Sequence, residues 1–242
     1  MGILSDGIEW LTDPANWEGT NGIPARLLEH LQISIVSMAI ALAIALPMAL
    51  VLGHLHKGEF FVNAAVNIGR AIPSFGIVIF AGLLFLEWGI SLKFWPVVAA
   101  LVLLAIPPIF TNTYTAITTV DPELVEAARG VGMPERRVLL SLELPVSAPV
   151  TLAGIKIATV QVVSTATIGA ILSSGGGFGR YIVDGFGQGP PGHAKVLGGA
   201  VLLAGLVLVI ESIFALAERR LLPEGIRRLG RATDVVDAIG HG

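Results

Sequence analysis

The chain contains no cysteine. That excludes disulfides and thiolate metal centres and leaves the compartment open. Charge is also sparse: 14% of the 242 residues carry it, where a soluble domain has about 25%. The mean hydropathy is +0.80, so there is too little polar surface to cover a water-soluble domain of this length. Aromatic residues make up 7% and are scattered, which leaves no contiguous aromatic cage for a cation. Net charge is −3, and concentrated Lys/Arg of the kind that neutralises nucleic-acid phosphates is missing. No G-x-x-x-x-G-K-[ST] run occurs, so no P-loop binds ATP here. Asp6, Glu9, Asp13 and Glu18 precede Arg26, the first basic residue, and no signal peptide is expected from such a start.

What the chain does have is apolar material in long blocks. A helix needs about 20 apolar residues to cross a bilayer. Five stretches qualify: 27–53, 60–86, 95–118, 146–172 and 194–217. The second is interrupted by Arg70 and Pro73, and reads either as one kinked helix or as a short helix followed by another. With five spans, one side of the membrane receives Lys57, Arg129, Arg136, Arg137, Arg219, Arg220, Arg227, Arg228 and Arg231. The other receives Arg26, Lys93, Arg180 and Lys195. Nine basic residues against four put the N-terminus outside and the C-terminus in the cytoplasm.

The loop 119–145 joins the third and fourth spans and is unusually well punctuated. Asp121-Pro122-Glu123 is a helix start, with an Asp cap, Pro in the first turn and Glu on the positive dipole end. Gly130 and Gly132 end that helix. Pro134-Glu135 starts a second short helix, which Pro145 is expected to end. Val138, Leu139, Leu140 and Leu142 give this second helix an apolar set, which implies a partner or the underside of its own bundle.

Glu126-Ala127-Ala128, three residues, Gly132, nine residues, Leu142, one residue, Leu144-Pro145 resembles the EAA loop of ABC importer permeases. Leu142 stands where the pattern has Ile. The stretches 70–75, 111–117, 154–160 and 166–170 and the glycine run 175–179 extend the resemblance over roughly 27–222. Together they are similar to permeases for quaternary-amine osmoprotectants: glycine betaine, choline, carnitine and proline betaine. The resemblance implies an all-α integral membrane protein of the type I ABC importer permease (MetI-like) fold, with about five transmembrane helices. It implies an external segment 1–26, a permease domain 27–218 and a cytoplasmic tail 219–242. It also implies a coupling loop, with Glu126, Ala127, Ala128, Gly132, Met133, Arg136, Leu142, Leu144 and Pro145 docking on an ATPase. The implied partners are two ATP-binding cassette ATPase subunits, a second permease subunit (identical or related) and a separate extracytoplasmic substrate-binding protein. ATP and magnesium would belong to the ATPase, leaving this chain without cofactor or catalytic residues, in the plasma membrane of a prokaryote. An amino-acid or methionine importer of the same type is the near alternative, and an ion-coupled secondary transporter the distant one.

Charged and polar residues inside spans are costly and point to function or bracing. Arg70, Pro73 and Ser74 are candidates for the translocation path. So are Gln161, Ser164 and Thr165, which share one helical face, although interhelical hydrogen bonds are the plainer use of such groups. Lys156 and Glu211 fall at similar depth on antiparallel spans and are a candidate structural ion pair. The Arg-rich tail offers a weak attraction to anionic membrane lipid. His54 and His56 read as two solvated histidines rather than metal ligands, and no metal site is expected. Gly187-x-Gly189-x-x-Gly192 follows no strand, and Pro190 and Pro191 bar the helix a dinucleotide fingerprint requires.

Overall fold

Proline and glycine placement decides where the helices of this chain begin, bend and end. The computed structural model describes residues 2–60, 62, 64, 73–89, 94–172 and 176–221. Among these, the elements are α1 (Ile3–Thr12), a 3₁₀ turn (Pro14–Trp17), α2 (Ile23–His54), α3 (Ser74–Glu87), α4 (Trp95–Thr118), α5 (Pro122–Gly130), α6 (Glu135–Val138), a π turn (Leu139–Glu143), α7 (Leu144–Ala166), α8 (Gly169–Leu172), α9 (Gly179–Gly187), a 3₁₀ turn (Pro190–Gly192) and α10 (His193–Leu221). No strand occurs among the described residues.

Among the described residues, four helical runs are long and apolar enough to cross a membrane: Ile23–His54, Trp95–Thr118, Glu135–Ile171 and Pro190–Arg220. They account for four of the five expected spans. The remaining one, 60–86, is described mainly from Pro73 onward. Pro73 is extended (φ −65°, ψ 131°) and precedes the 14-residue α3. At 1.5 Å per residue α3 is about 21 Å long, short of a bilayer's hydrocarbon core. Arg70 and the tail beyond Leu221 lie outside the described residues.

The fourth span differs from expectation in one respect. Pro145 does not end the second loop helix; the helical run continues through it into the span, 37 residues in all. The reason is the π turn just ahead of it. Pro145 has no N–H, and its ring would crowd a carbonyl one α-turn back. The wider π turn, in which the Leu144 N–H donates to the Leu139 carbonyl, relieves that crowding.

The chain divides into two compact units. The first comprises Met1–Ala41, Arg70–Ala105 and Thr159–Ile210; the second comprises Leu42–Gly69, Ile106–Ala158 and Glu211–Gly242. In the first unit, Ile23, Phe178 and Tyr181 form a core with Trp10, Leu11, Leu27, Leu202 and Leu206 against it. The N-terminal segment that contributes Trp10, Leu11 and Ile23 is therefore folded. Gly198 leaves the room that the Trp10 ring occupies. Behind this core, His30 is fully buried. Its Nδ1 accepts from the Phe178 N–H (3.4 Å), so the ring carries its proton on Nε2 and donates to the Val163 carbonyl (2.9 Å). The neighbouring Gly177 (φ +54°) faces His30 so closely that a Cβ there would collide with it, which explains part of the glycine run.

In the second unit, Gly154 of α7 meets Asn112 and the Pro108 carbonyl of α4; a Cβ at Gly154 would come within 2.9 Å of that carbonyl. A small residue is what allows the two backbones to approach. Large apolar side chains on α10, including Leu208, Val209 and Ile213, are exposed, as a helix facing lipid requires.

Candidate functional site

The loop between α4 and α7 is a folded elbow. Asp121 caps α5 by accepting from the Glu123 N–H at 2.9 Å. At the other end, the Gly132 N–H donates to the Arg129 carbonyl (2.9 Å) and the Met133 N–H to the Ala128 carbonyl (3.1 Å). This pair of bonds is a Schellman motif, with Gly132 in the left-handed position at φ +84°. The motif brings Met133 back over Ala128, and both pack on a small core of Val120, Val125 and Val138, joined by Leu142 and Val146. Burying each of those valines contributes about 1.5–3 kcal/mol. The loop thus has an interior of its own, which absorbs part of its apolar set.

The rest points outward. Glu126, Ala127, Arg136 and Pro145 are exposed, while Ala128, Met133, Leu142 and Leu144 are partly buried. Leu140, one of the apolar set expected to need a partner, is about half exposed; Leu124, also about half exposed, and Val131, 83% exposed at the tip of the elbow, were not singled out from the sequence. Burial patterns on a single short loop give no periodicity from which to find them. A shallow groove beside Leu140 is lined by Pro134, Arg136, Arg137 and Ser141.

An ionic chain ties the elbow together. Arg129 donates twice to the Glu135 carboxylate, at 2.9 Å from Nε and 2.9 Å from Nη2. This hydrogen bond raises the Arg129 guanidinium above its ordinary value. Glu135 also lies 3.1 Å from His54 Nε2, and His54 Nδ1 lies 2.7 Å from Glu143. The reading of His54 and His56 as two solvated histidines is corrected for His54, whose side chain is 9% exposed. His56, in the turn after α2 (φ +49°), is exposed. The available signal was Glu143 itself, an acid between Leu142 and Leu144 that needs a partner if buried. Its partner is 89 residues away in sequence, which no local pattern reveals.

The other candidates are placed as follows. Lys156 Nζ lies 2.8 Å from Glu211 Oε2. Along α7, Gln161 is partly buried, Ser164 exposed and Thr165 buried; Ser164's carbonyl accepts from the Thr167 hydroxyl at 2.6 Å. Pro73 is exposed and Ser74 partly buried. No group of three metal-ligating side chains occurs among the described residues.

The first unit carries a second charged feature, a polar recess of about 260 Å³. Trp10 and Tyr181 meet edge to face at 5.0 Å, and the Tyr181 hydroxyl donates to the Asn21 carbonyl (2.8 Å). Burial pushes the Tyr181 hydroxyl up to about 12. Arg26, Arg180 and Lys195 also line the recess, with Asp184 bound to Arg180 and 3.6 Å from Lys195. Three cations beside two aromatic rings do not favour a bare quaternary ammonium.

These features define a class first: a multi-pass helical membrane protein in which two spans are joined by a folded, charged elbow. Residues 41–223 match the family described as binding-protein-dependent transport system inner membrane component, and the chain belongs to that family. The choline transport system permease protein OpuBB of Bacillus subtilis (strain 168) is 34% identical over 87% of this chain and 94% of its own length. The glycine betaine/carnitine/choline transport system permease protein OpuCB of the same strain is 32% identical over 82% of this chain and 88% of its own. The carnitine transport permease protein OpuCB of Listeria monocytogenes is 32% identical, covering 87% and 93%. Among solved structures, the inward-facing MetNI methionine ABC transporter aligns with a TM-score of 0.71 at 23% identity, over 83% of this chain and 96% of that one. At that identity the likeness establishes the type I permease fold and nothing about the substrate.

Proposed function

We propose that this chain is the membrane-spanning permease subunit of an ATP-binding cassette importer for quaternary-amine osmoprotectants such as choline, glycine betaine and carnitine. The observation that carries the reading is the elbow: a self-supporting core of Val120, Val125 and Val138 behind a tip that presents Val131 and Leu140 outward. An apolar tip on a rigid, charged support suits insertion into a groove on another protein. The substrate class rests on relatives bearing transport names for those compounds.

In this reading the elbow lies in the cytoplasm with the C-terminus, the N-terminus is outside, and the membrane is a prokaryotic plasma membrane; the excess of basic residues on the elbow side supports that orientation. ATP and magnesium are held by two ATPase subunits, and a second permease subunit completes the pathway. A separate binding protein delivers substrate. The chain's own work is mechanical. ATPase closure displaces the elbow, and because α6, the π turn and α7 form one continuous helical run, the displacement passes into the fourth span without an intervening loop.

The test is affinity purification in mild detergent, followed by reconstitution of the recovered complex with its binding protein into ATP-loaded liposomes. ATP-dependent uptake of choline, glycine betaine or carnitine is expected. Uptake of methionine in place of these would overturn the substrate class. A chain that purifies alone and transports without ATP would overturn the importer reading.

A further inference from the structure

The apolar side of α1 is wider than its packing uses. Gly7, Trp10 and Leu11, at i, i+3 and i+4, share one face. That face meets the start of α10 and the core beside it. A Cβ at Gly7 would run into Leu197, Gly198 makes room for the Trp10 ring, and Trp10 and Leu11 pack on Ile23, Phe178 and Tyr181. Leu4 and Ile8, one turn apart on the flank beside Leu11, are 70% and 64% exposed. Ser5, Glu9 and Thr12, at i, i+4 and i+7, form the polar face turned away from α10, and they too are exposed. Left in water, each of the two large side chains would forgo about 1.5–3 kcal/mol of burial.

The place of α1 on α10 says what covers that flank. The two helices meet at Leu197, four residues after His193 starts α10, or about 6 Å along the axis. Val201 and Ala204 continue the Leu197 stripe at i+4 and i+7 and are exposed, on a helix apolar and long enough to cross a membrane. So α1 sits at the head of a lipid-facing stripe, within the depth of about 5–10 Å that interfacial helices occupy. Trp17 is held at the same end of the molecule: its ring N–H donates to the Leu11 carbonyl at 2.8 Å, and the indole is half exposed. An indole with an apolar body and a bonded N–H suits the boundary between lipid and water.

We propose that Leu4 and Ile8 insert among lipid acyl chains at the outer face of the membrane, making α1 an interfacial anchor that keeps Trp10 on Tyr181. The outer leaflet is assigned from the permease reading; the insertion itself is not. The attraction is apolar. α1 carries Asp6 and Glu9 and no Lys or Arg, so an anionic headgroup layer would repel it and a neutral bilayer serves it best. Through Trp10 the anchor reaches the Tyr181 ring at 5.0 Å, and the Tyr181 hydroxyl is bound to the Asn21 carbonyl. The bilayer thereby steadies both α9 and the turn that leads into the first span.

The absence of cysteine makes the test direct. Leu4→Cys, Ser5→Cys, Ile8→Cys and Glu9→Cys are each given a nitroxide label, and the complex, with cysteine-free partner subunits, is reconstituted into phosphatidylcholine vesicles. At positions 4 and 8, collision with oxygen is expected to exceed collision with a water-soluble nickel chelate, reporting a depth of about 5–10 Å. At positions 5 and 9 the order should reverse. Labels at 4 and 8 as open to the chelate as those at 5 and 9 would overturn the proposal, because α1 would then stand in water. Labels at 4 and 8 shielded from both reagents would overturn it as well, in favour of a protein partner. Should the variants misfold, the unaltered protein is irradiated in vesicles of phosphatidylcholine bearing a diazirine on the acyl chain. Adducts on α1 as well as at Val201 support the anchor; adducts confined to α10 remove it. Absence of quaternary-amine uptake would sink the permease reading, and both lipid readouts would still judge the anchor.

Discussion

The elbow cluster and the recess cluster are built from the same kinds of side chain and differ in reach. In the recess, Arg26 pairs with Glu29 three residues on, and Arg180 with Asp184 four residues on. These are neighbours on one turn of helix, partly open to solvent, and they support the helix they sit on. In the elbow, His54 reaches Glu143 across 89 residues with both side chains nearly buried. A local pair stiffens one element; a buried long-range pair makes two elements move together. The contrast suggests that the elbow is where force is passed on, while the recess holds a surface in shape.

The largest effect that would test this contrast is expected at Glu143. Glu143→Leu leaves the nearly buried His54 ring without its hydrogen-bond partner and should cost about 1–3 kcal/mol. Thermal unfolding in detergent would read it as a clear drop in Tm, and pairing it with His54→Leu should restore most of the loss. A single variant as stable as the parent would remove the claim that the two buried side chains depend on each other.

Gly132→Val comes next. A β-branched residue at φ +84° carries strain of about 1–3 kcal/mol and would distort the Schellman turn. The protein should still reach the membrane and still lose uptake; Gly132→Ala should lose less. Normal uptake by the valine variant would count against the elbow as the coupling element.

A smaller effect is expected at Lys156–Glu211, whose side chains are 29% and 41% exposed. Polar contacts between membrane helices average about 0.6 kcal/mol. Glu211→Gln should lower transport modestly, and exchanging the two charges should recover it. If the exchange is no better than the single change, the pair does not brace the two helices.

The smallest effect belongs to the recess. Arg180 holds the Asp184 carboxyl below its ordinary range, chiefly through their hydrogen bond. A depressed folded value means the contribution is complete above the unfolded carboxylate value near ~3.9 and fades as pH falls through the lower folded one. Asp184→Asn should therefore cost about 0.2–1 kcal/mol at neutral pH and remove this acid-side loss. A larger penalty, comparable to Glu143→Leu, would erase the difference between the two clusters.

Several features were legible before any coordinates. Four of the expected spans correspond to long apolar helices because apolar blocks of that length have one solvent that suits them. Asp121 and Gly132 announced a helix start and a left-handed stop because capping chemistry is local. Pro145 misled, since a proline in a helical stretch signals an end unless the helix widens just before it, and the π turn at Leu139–Glu143 has no sequence signature. Val131 was passed over because its exposure depends on which way the elbow folds.

By itself, then, the sequence determined the solvent, the long helices, the punctuation of the loop between the third and fourth spans and the family resemblance, all carried by composition or by residues close together in the chain. Only the tertiary structure decided that His54 meets Glu143 and that Trp10 closes over Tyr181. Each of those contacts joins positions tens of residues apart or more, where partners are chosen by packing and charge compensation rather than by any local pattern.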